Sequence, residues 1–313
     1  MSVQLTHALL LTAGLGTRLR PLTTVRAKPA IPVAGVPMAC RIINWLATSG
    51  ATDVTLNLHH LPASIATVVG DGTSLGVRVR YSWEHPQVLG SAGGPRQALD
   101  IVGVDRFFIV NGDTITDAAL GPLAESHAAS GALVTLAAIP NVHPQHYSGL
   151  RLAADGAVVG IEPKGSTRPS FHFIGVQVAE ARAFAMLPKG TAANSIGGLY
   201  DALIDAKPGS VRAHVCDAQF FDIGTVDDYW QTSWQFAGTA APSNIGTADV
   251  ASDATVTGSV LWDRVRIGAC ARVTRCILTD DVVVTAGSVH TDEILMRGSD
   301  GHTLSAPLRT ETR

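Results

Sequence analysis

The chain has 313 residues, 46% of them hydrophobic and 16% charged, with a formal net charge of -3. That is enough apolar material for one large domain plus a small one. The charge excludes the broad basic field that nucleic acid or an anionic membrane surface selects, so an anionic ligand must be held by local charges and backbone groups.

The apolar run at Ala8–Thr12 reads as a buried strand. It is too short to span a membrane and lacks the basic flank and cleavage site of a leader. Asp53–Leu58, Val77–Ser82, Phe107–Asn111 and Leu133–Ile139 read as further strands. Met38–Ser49, Pro62–Val69, Gly93–Asp100 and Leu120–Ser130 read as the helices between them. This alternation predicts an α/β fold whose mostly parallel sheet has helices on both faces. Ligands of such sheets bind beyond the carboxyl ends of the strands, so the loops there are where chemistry is expected. Leu150–Leu152, Val158–Ile161 and Phe171–Val178 follow as strands, with helices near Ala179–Leu187 and Ile196–Asp205. Val211–Cys216 and Phe220–Gly224 then lead to a helix near Val226–Phe236.

The expected organisation is a catalytic domain over 1–237, a linker at Gly238–Asn244 and a short tail over 245–296. A polar, loose end covers 297–313. Within the tail Val250, Val256, Ile267, Val273 and Val284 recur near six-residue spacing with small residues between. That pattern suits a short left-handed β-helix whose interior these side chains would line, or else an irregular β-tail. Two or three coils leave open strand edges, so the tail is expected to dock on the rest of the chain or to support a homo-oligomer. The four cysteines, Cys40, Cys216, Cys270 and Cys276, form no CxxC pair and no zinc-spaced cluster. They read as reduced thiols of a cytosolic protein. His59, His60, His143 and His146 show no ligand spacing.

The densest motif is LLLTAGLGTRLRPLTTVRAKPAIPVAGVPM, residues 9–38. Gly14 and Gly16 let successive backbone N–H groups face one concavity that binds phosphate oxygens. The dinucleotide fingerprint fails at Leu19, and no Gly-Lys-Ser/Thr follows for a P-loop. Arg18 and Lys28 flank the loop and suit a triphosphate. Taken alone, the same residues also describe a tight turn with two solvated cations. Asp113 closes Val110-Asn111-Gly112-Asp113 at the end of an apolar strand, a placement that suits Mg2+ or a turn cap with Thr114.

The motif resembles the sugar-1-phosphate nucleotidyltransferase family, whose signature reads GxGTRLxPLT and then KPxxPVxxxP. The likeness runs from about Ala8 to Phe236. It implies a Rossmann-like fold of the nucleotide-diphospho-sugar transferase type. It also implies Mg2+-dependent condensation of a nucleoside triphosphate with a sugar-1-phosphate, releasing pyrophosphate. Under the resemblance, Ala13, Gly14, Leu15, Gly16 and Thr17 cradle the triphosphate, Arg18 contacts its β- and γ-phosphates and Lys28 bridges phosphates at the reacting centre. Asp222, in Phe221-Asp222-Ile223-Gly224-Thr225, joins Asp113 around the metal. Read by itself, Asp222 also suits a helix N-cap. Glu84, Leu89 and Gly90 lie in the segment that reads the base. Leu89–Gly93 matches, with Ser for Thr, the LGTAG of many guanylyltransferases and some other transferases of the family, which puts GTP first and UTP or dTTP behind it; read by itself it is a glycine-rich loop before a helix. Gly149, Glu162 and Gly175 face the sugar. Glu162-Pro163-Lys164 departs from the usual Glu-Lys-Pro, so Lys164 stands one place from the lysine that holds the sugar phosphate. A surface turn and two strand bulges are the plain alternatives for Lys164, Gly149 and Gly175. The competing functions are a non-catalytic sensor of nucleotide sugars and a glycosyltransferase. The latter wants an Asp-x-Asp motif where Asn111-Gly112-Asp113 stands.

Overall fold

The computed structural model describes residues 4–238 and 247–309, and the expected linker beyond Gly238 lies outside them. Packing divides the chain into two compact units, Met1–Leu15 with Ala39–Phe221, and Gly16–Met38 with Asp222–Arg313. Neither unit is continuous in the chain. Residues 16–38 of the signature segment group with the C-terminal tail, while residues 9–15 stay with the first unit.

The first unit is built on one nine-stranded sheet. Its strands are β1 (His7–Leu11), β2 (Asp53–Leu58), β3 (Arg78–Trp83), β4 (Arg106–Asn111), β5 (Val134–Pro140), β6 (Gly149–Leu152), β7 (Val158–Glu162), β8 (Phe171–Glu180) and β9 (Val211–Val215). All six residues of β2 are buried, as a strand covered on both faces requires. β3, β2, β1 and β4 pair in parallel. β8 then runs antiparallel against both β4 and β5, and β9 pairs in parallel with β5. The sheet is therefore mixed, its parallel half being the one that carries the first motif. Leu9, Phe107, Ile109, Val134 and Leu136 build the core with Phe184 and Tyr200.

The helices of this unit are α1 (Met38–Thr48), α2 (Pro62–Val69), α3 (Gly90–Val102), α4 (Leu120–Ser130), α5 (Ala181–Ala185) and α6 (Tyr200–Ala206). α3 begins three residues before the expected Gly93, through Gly-Ser-Ala-Gly-Gly, a poor helix former. Tertiary packing decides it: the Ala193 carbonyl accepts from the Ala92 and Gly93 N–H groups at 2.9 and 3.2 Å. A Cβ on Gly93 would strike the Thr191 carbonyl. α5 is shorter than the expected Ala179–Leu187 because β8 continues to Glu180, whose carboxylate meets Arg106 at 2.7 Å and His127 at 3.3 Å.

In the second unit the signature segment forms short 3-10 turns at Thr17–Leu19, Leu22–Thr24 and Lys28–Ala30. The Pro32–Val33 and Val36–Pro37 hairpin follows. Helix α7 spans Val226–Ala237. The tail is a three-sided coil. Asp249–Val250, Arg266–Ile267 and Val283–Val284 stack in parallel on one side. Thr255–Thr257, Arg272–Thr274 and Val289–Thr291 form the second side. Val260–Leu261, Ile277–Leu278 and Glu293–Arg297 form the third.

Residues 17 apart occupy equivalent places in successive coils, as the Arg264–Asp281 and Arg275–Asp292 corner pairs show at 2.7 Å. Ile267, Val273 and Val284 line the interior as expected, together with Leu261, Val265, Leu278 and Leu295. Val250 does not: it is 37% exposed. Its strand pairs with a neighbour on one side only among the described residues. The polar end expected to be loose carries a strand, Thr303–Pro307, paired antiparallel with Glu293–Arg297. No helix among the described residues is long and apolar enough to cross a membrane.

Candidate functional site

In the first unit β1 delivers Thr12, Ala13 and Gly14 to its carboxyl end. Thr12 is fixed there, its N–H donating to the Asn57 side-chain oxygen at 2.6 Å and its hydroxyl to the Asn57 carbonyl. Ala13 is buried, whereas Gly14 and Leu15 are exposed. A Cβ on Gly14 would meet nothing, and its φ lies outside the left-handed region. The fold itself therefore does not demand glycine at 14.

Glu84, expected beside the base, is enclosed by protein. It is 2% exposed. One carboxylate oxygen accepts from the Asn57 amide at 2.6 Å and the other from the Leu89 N–H at 2.6 Å. Burial raises its pKa above the ordinary carboxylate range against the opposing pull of those hydrogen bonds. Glu84 thus ties Asn57 to the loop entering α3 and fixes Leu89 and Gly90. Gly94 exists for this contact, since a Cβ there would collide with the Glu84 carboxylate and lie 2.8 Å from the Asn57 amide nitrogen. Asn57 was not singled out in the sequence. Its signal was a polar side chain one residue before the end of a fully buried strand.

At the end of β4, Gly112 donates to the Leu11 carbonyl at 2.9 Å, which pins the corner that presents the half-buried Asp113. Gly175 faces that corner from β8 with φ +77, at a register shift between Phe173 and Gln177. A Cβ there would stand 2.8 Å from the Asn111 side-chain nitrogen. The bulge and the close approach are thus one feature. Gly149 similarly leaves room for the Ser170 side chain.

Glu162 is 5% exposed, and its carboxylate meets Arg151 at 3.3 Å, Arg168 at 3.5 Å and the Ser166 hydroxyl at 2.9 Å. Lys164 is exposed in a turn closed by the Ser166 N–H on the Pro163 carbonyl at 3.2 Å. Sequence reading missed Arg151 and Arg168, because their approach to Glu162 depends on the β6–β7 hairpin and the turn after it. It also missed an aromatic cluster in which Tyr147 and His172 stack with centroids 4.1 Å apart and Phe220 lies 4.9 Å from His172.

The second unit gathers Gly16, Thr17, Arg18, Lys28 and Asp222. Gly16 has φ +59, and a Cβ on it would stand 3.3 Å from the Lys28 Cβ. The Thr23 hydroxyl donates to the Gly16 carbonyl at 2.9 Å. Lys28 is buried in its 3-10 turn, while Thr17 and Arg18 are exposed. Both terminal nitrogens of Arg18 lie 3.1 Å from where a Cβ on Gly224 would stand, so the guanidinium rests on the backbone two residues past Asp222.

Asp222 does not cap α7. Thr225 does: its hydroxyl accepts from the Asp228 N–H at 3.1 Å, and the Asp228 carboxylate accepts from the Gly224 and Thr225 N–H groups. The N-cap explanation for the half-buried Asp222 is thereby removed.

Among the described residues no cluster of three or more His, Cys, Asp or Glu forms a protein-only metal cage. Asp113 and Asp222 nevertheless offer hard carboxylate oxygens. Mg2+ is held in this way, by one or two carboxylates with water and substrate phosphates completing its shell. The donor chemistry therefore fits.

Residues 7–237 match the family described as Nucleotidyl transferase, and residues 231–299 match that described as GlmU-like, C-terminal hexapeptide. The chain is 27% identical to a mannose-1-phosphate guanylyltransferase of Mycobacterium tuberculosis over 92% of its own length and 84% of the relative's. It is 28% identical to a UTP–glucose-1-phosphate uridylyltransferase of a Synechocystis species over 72% of its length, spanning 61% of that protein. Among solved structures, HddC from Yersinia pseudotuberculosis aligns with a TM-score of 0.64 at 22% identity, over 74% of this chain and all of that one.

Proposed function

The chain belongs to the nucleotidyl transferase family, and from that premise we propose that it condenses a nucleoside triphosphate with a sugar-1-phosphate to give a nucleoside-diphosphate sugar and pyrophosphate. The observation that carries the reading is Gly14, a glycine inside the signature loop that neither backbone conformation nor packing requires. A side chain there would obstruct only a ligand lying against the loop's N–H groups.

In this reaction an oxygen of the sugar phosphate attacks the α-phosphorus. A new O–P bond forms, the bond to the β-phosphate bridging oxygen breaks, and pyrophosphate leaves. The nucleophile is already an anion, so no general base is needed. The task is to align two polyanions and offset their repulsion. Arg18 and Lys28 neutralise the triphosphate, and Lys28 holds a reacting phosphate from its buried turn. Glu162 accepts from sugar hydroxyls, with Arg151, Arg168 and Lys164 as the cations available to the sugar phosphate. Asp113 and Asp222 would hold Mg2+, which supplies charge neutralisation at the phosphates when bound. Leu89 and Gly90, set by Glu84, border the base.

GTP is the first candidate donor, supported by the Leu89–Gly93 motif and by the relative that is a guanylyltransferase over most of this chain. The second relative keeps UTP in contention. A cytosolic setting follows from the substrates such a reaction consumes. The test is pyrophosphate release with each of five nucleoside triphosphates against a panel of sugar-1-phosphates. Release with one pairing well above the rest is expected. No release with any pairing would sink the class, and GTP ranking last would retire the base assignment.

A further inference from the structure

The signature segment and the C-terminal coil share one side chain. Arg26 stands two residues before Lys28 and is only 7% exposed. Its Nε donates to Asp280 at 2.6 Å, and its Nη2 donates to Asp280 and to Asp263, each at 2.6 Å. Its Nη1 donates to the carbonyl of Ala30, the last residue of the turn that carries Lys28, at 3.3 Å. The guanidinium also lies 5.5 Å from the Trp262 ring centroid. The indole N–H of Trp262 donates to the Tyr229 hydroxyl, which donates to the Pro32 carbonyl, both at 2.9 Å.

Asp263 and Asp280 are 17 residues apart, so they occupy the same corner of successive coils, and the Asp263 N–H donates to Asp280 at 3.2 Å. Two carboxylates stacked in this way repel, and a partly desolvated corner needs a cation to hold them. The coil's own Arg264 feels both carboxylates but is paired with Asp281, at 2.7 and 2.9 Å; the cation in direct contact with Asp263 and Asp280 comes from the signature segment. Burial alone would lower the Arg26 pKa, but the two carboxylates more than offset it and raise it. A guanidinium held at three nitrogens has one orientation, because its donors form a rigid planar fork. That fork fixes the backbone on both sides of Lys28.

We propose that Arg26 is a positioning residue through which Asp263 and Asp280 of the coil set the pose of Lys28 on the triphosphate. The coil is then part of the catalytic apparatus and not an appendage. This rests on the phosphate-binding role given to Lys28 above. A displacement of about 1 Å in a group that aligns reacting phosphates costs on the order of 100-fold in rate.

The test uses the full chain with Asp263→Asn/Asp280→Asn, which keeps shape and removes charge, and Arg26→Lys, which keeps charge and loses the fork. Should the double variant fail to fold, Asp263→Asn alone, at the more exposed carboxylate, gives the same split in smaller measure. Amide hydrogen exchange across Thr17–Ile31 and steady-state kinetics are measured well below each melting transition. Faster exchange at Lys28–Ile31 is expected, with kcat lower by about 10- to 100-fold and KM for the sugar phosphate unchanged. Arg26→Lys, which keeps the charge, should lower kcat in the same way. Unchanged exchange would overturn the proposal, as would faster exchange with wild-type kcat. A wild-type protein that turns over no pairing would instead fail the functional reading. Exchange and triphosphate affinity would still judge the brace.

Discussion

Asp222 sits three residues before the N-cap of α7 and leaves the capping to Thr225, while Asp113 stands at a corner pinned to β1. Asp113→Asn and Asp222→Asn should each lower turnover by about 10²-fold or more, as loss of one charge-stabilising contact does. Melting temperatures should hold. Near wild-type activity in Mg2+ for either variant would cancel the metal role. Gly14→Ala separates structure from chemistry more sharply. With open space and an ordinary φ, alanine should raise stability by about 0.4–1 kcal/mol by restricting the unfolded chain. It should also weaken the triphosphate complex. A melt and a triphosphate titration decide the matter, and unchanged affinity would remove the phosphate from that loop. On the sugar side, Arg168→Ala should raise KM for the sugar phosphate about tenfold, the worth of one charge-assisted hydrogen bond. Lys164→Ala serves as the comparison that shows which cation the displaced motif relies on. Residue types had marked Gly14, Arg18, Lys28 and the two aspartates because each belongs to a compact string. The motif singled out Glu84 but not the contacts it makes, since a buried carboxylate and a ligand-facing one look alike until Asn57 and the Leu89 N–H are placed around it.

At the scale of elements, β2, α2 and α4 were readable to the residue because their apolar pattern and their local preferences agree. α3 was not, for its first turn is glycine and its start is set by the Ala193 carbonyl, a partner a hundred residues away in sequence. The 3-10 turns of the signature segment carry no hydrophobic period and so left no trace. The coil was visible as a six-residue rhythm, yet Val250 was misplaced because periodicity says nothing about which coil is terminal. The capping box of α7 gives this scale its own check. Thr225→Ala should cost about 1 kcal/mol, visible as a lower melting temperature. No loss would mean that packing of Tyr229 and Trp230, not the cap, secures the start of α7.

For the whole molecule, acid should act through the buried network of β8. Burial holds the His127 imidazole below its ordinary pKa, the Glu180 carboxylate pulling the other way without prevailing. The unfolded imidazole takes its proton near about 6.5, the folded one only further down. The unfolded state therefore binds more protons as pH falls below that value, and stability falls with it. Glu180 is raised by burial but lowered more by Arg106 and His127, so its contribution, intact above about 4.3, is lost lower still. Melting temperature should drop between pH 7 and pH 5, and His127→Gln should flatten that drop; an equally steep profile would place the acid sensitivity elsewhere. Truncation after Ala237 removes Asp263, Asp280 and Trp262 together and leaves Arg26 without either carboxylate. A lower melting temperature is expected. Light scattering on both forms tests whether the coil also joins copies of the chain, and an unchanged melt and mass state would dismiss both expectations.

The 17-residue step has a consequence for how such a tail can change over time. Corners at Arg264 and Asp281, and at Arg275 and Asp292, repeat a left-handed backbone at equal intervals. An insertion within a coil whose length is not a whole multiple of 17 would shift interior aliphatics toward the outside and put ordinary residues where the chain must bend. Growth is therefore quantised: duplicating residues 265–281 in frame adds a full storey while Asp263 and Asp280 keep their numbers and their grip on Arg26, whereas adding half that length scrambles everything downstream. The tail behaves as a ruler graduated in single coils, able to lengthen between the coils that grip Arg26 and the Thr303–Pro307 strand that closes its far end.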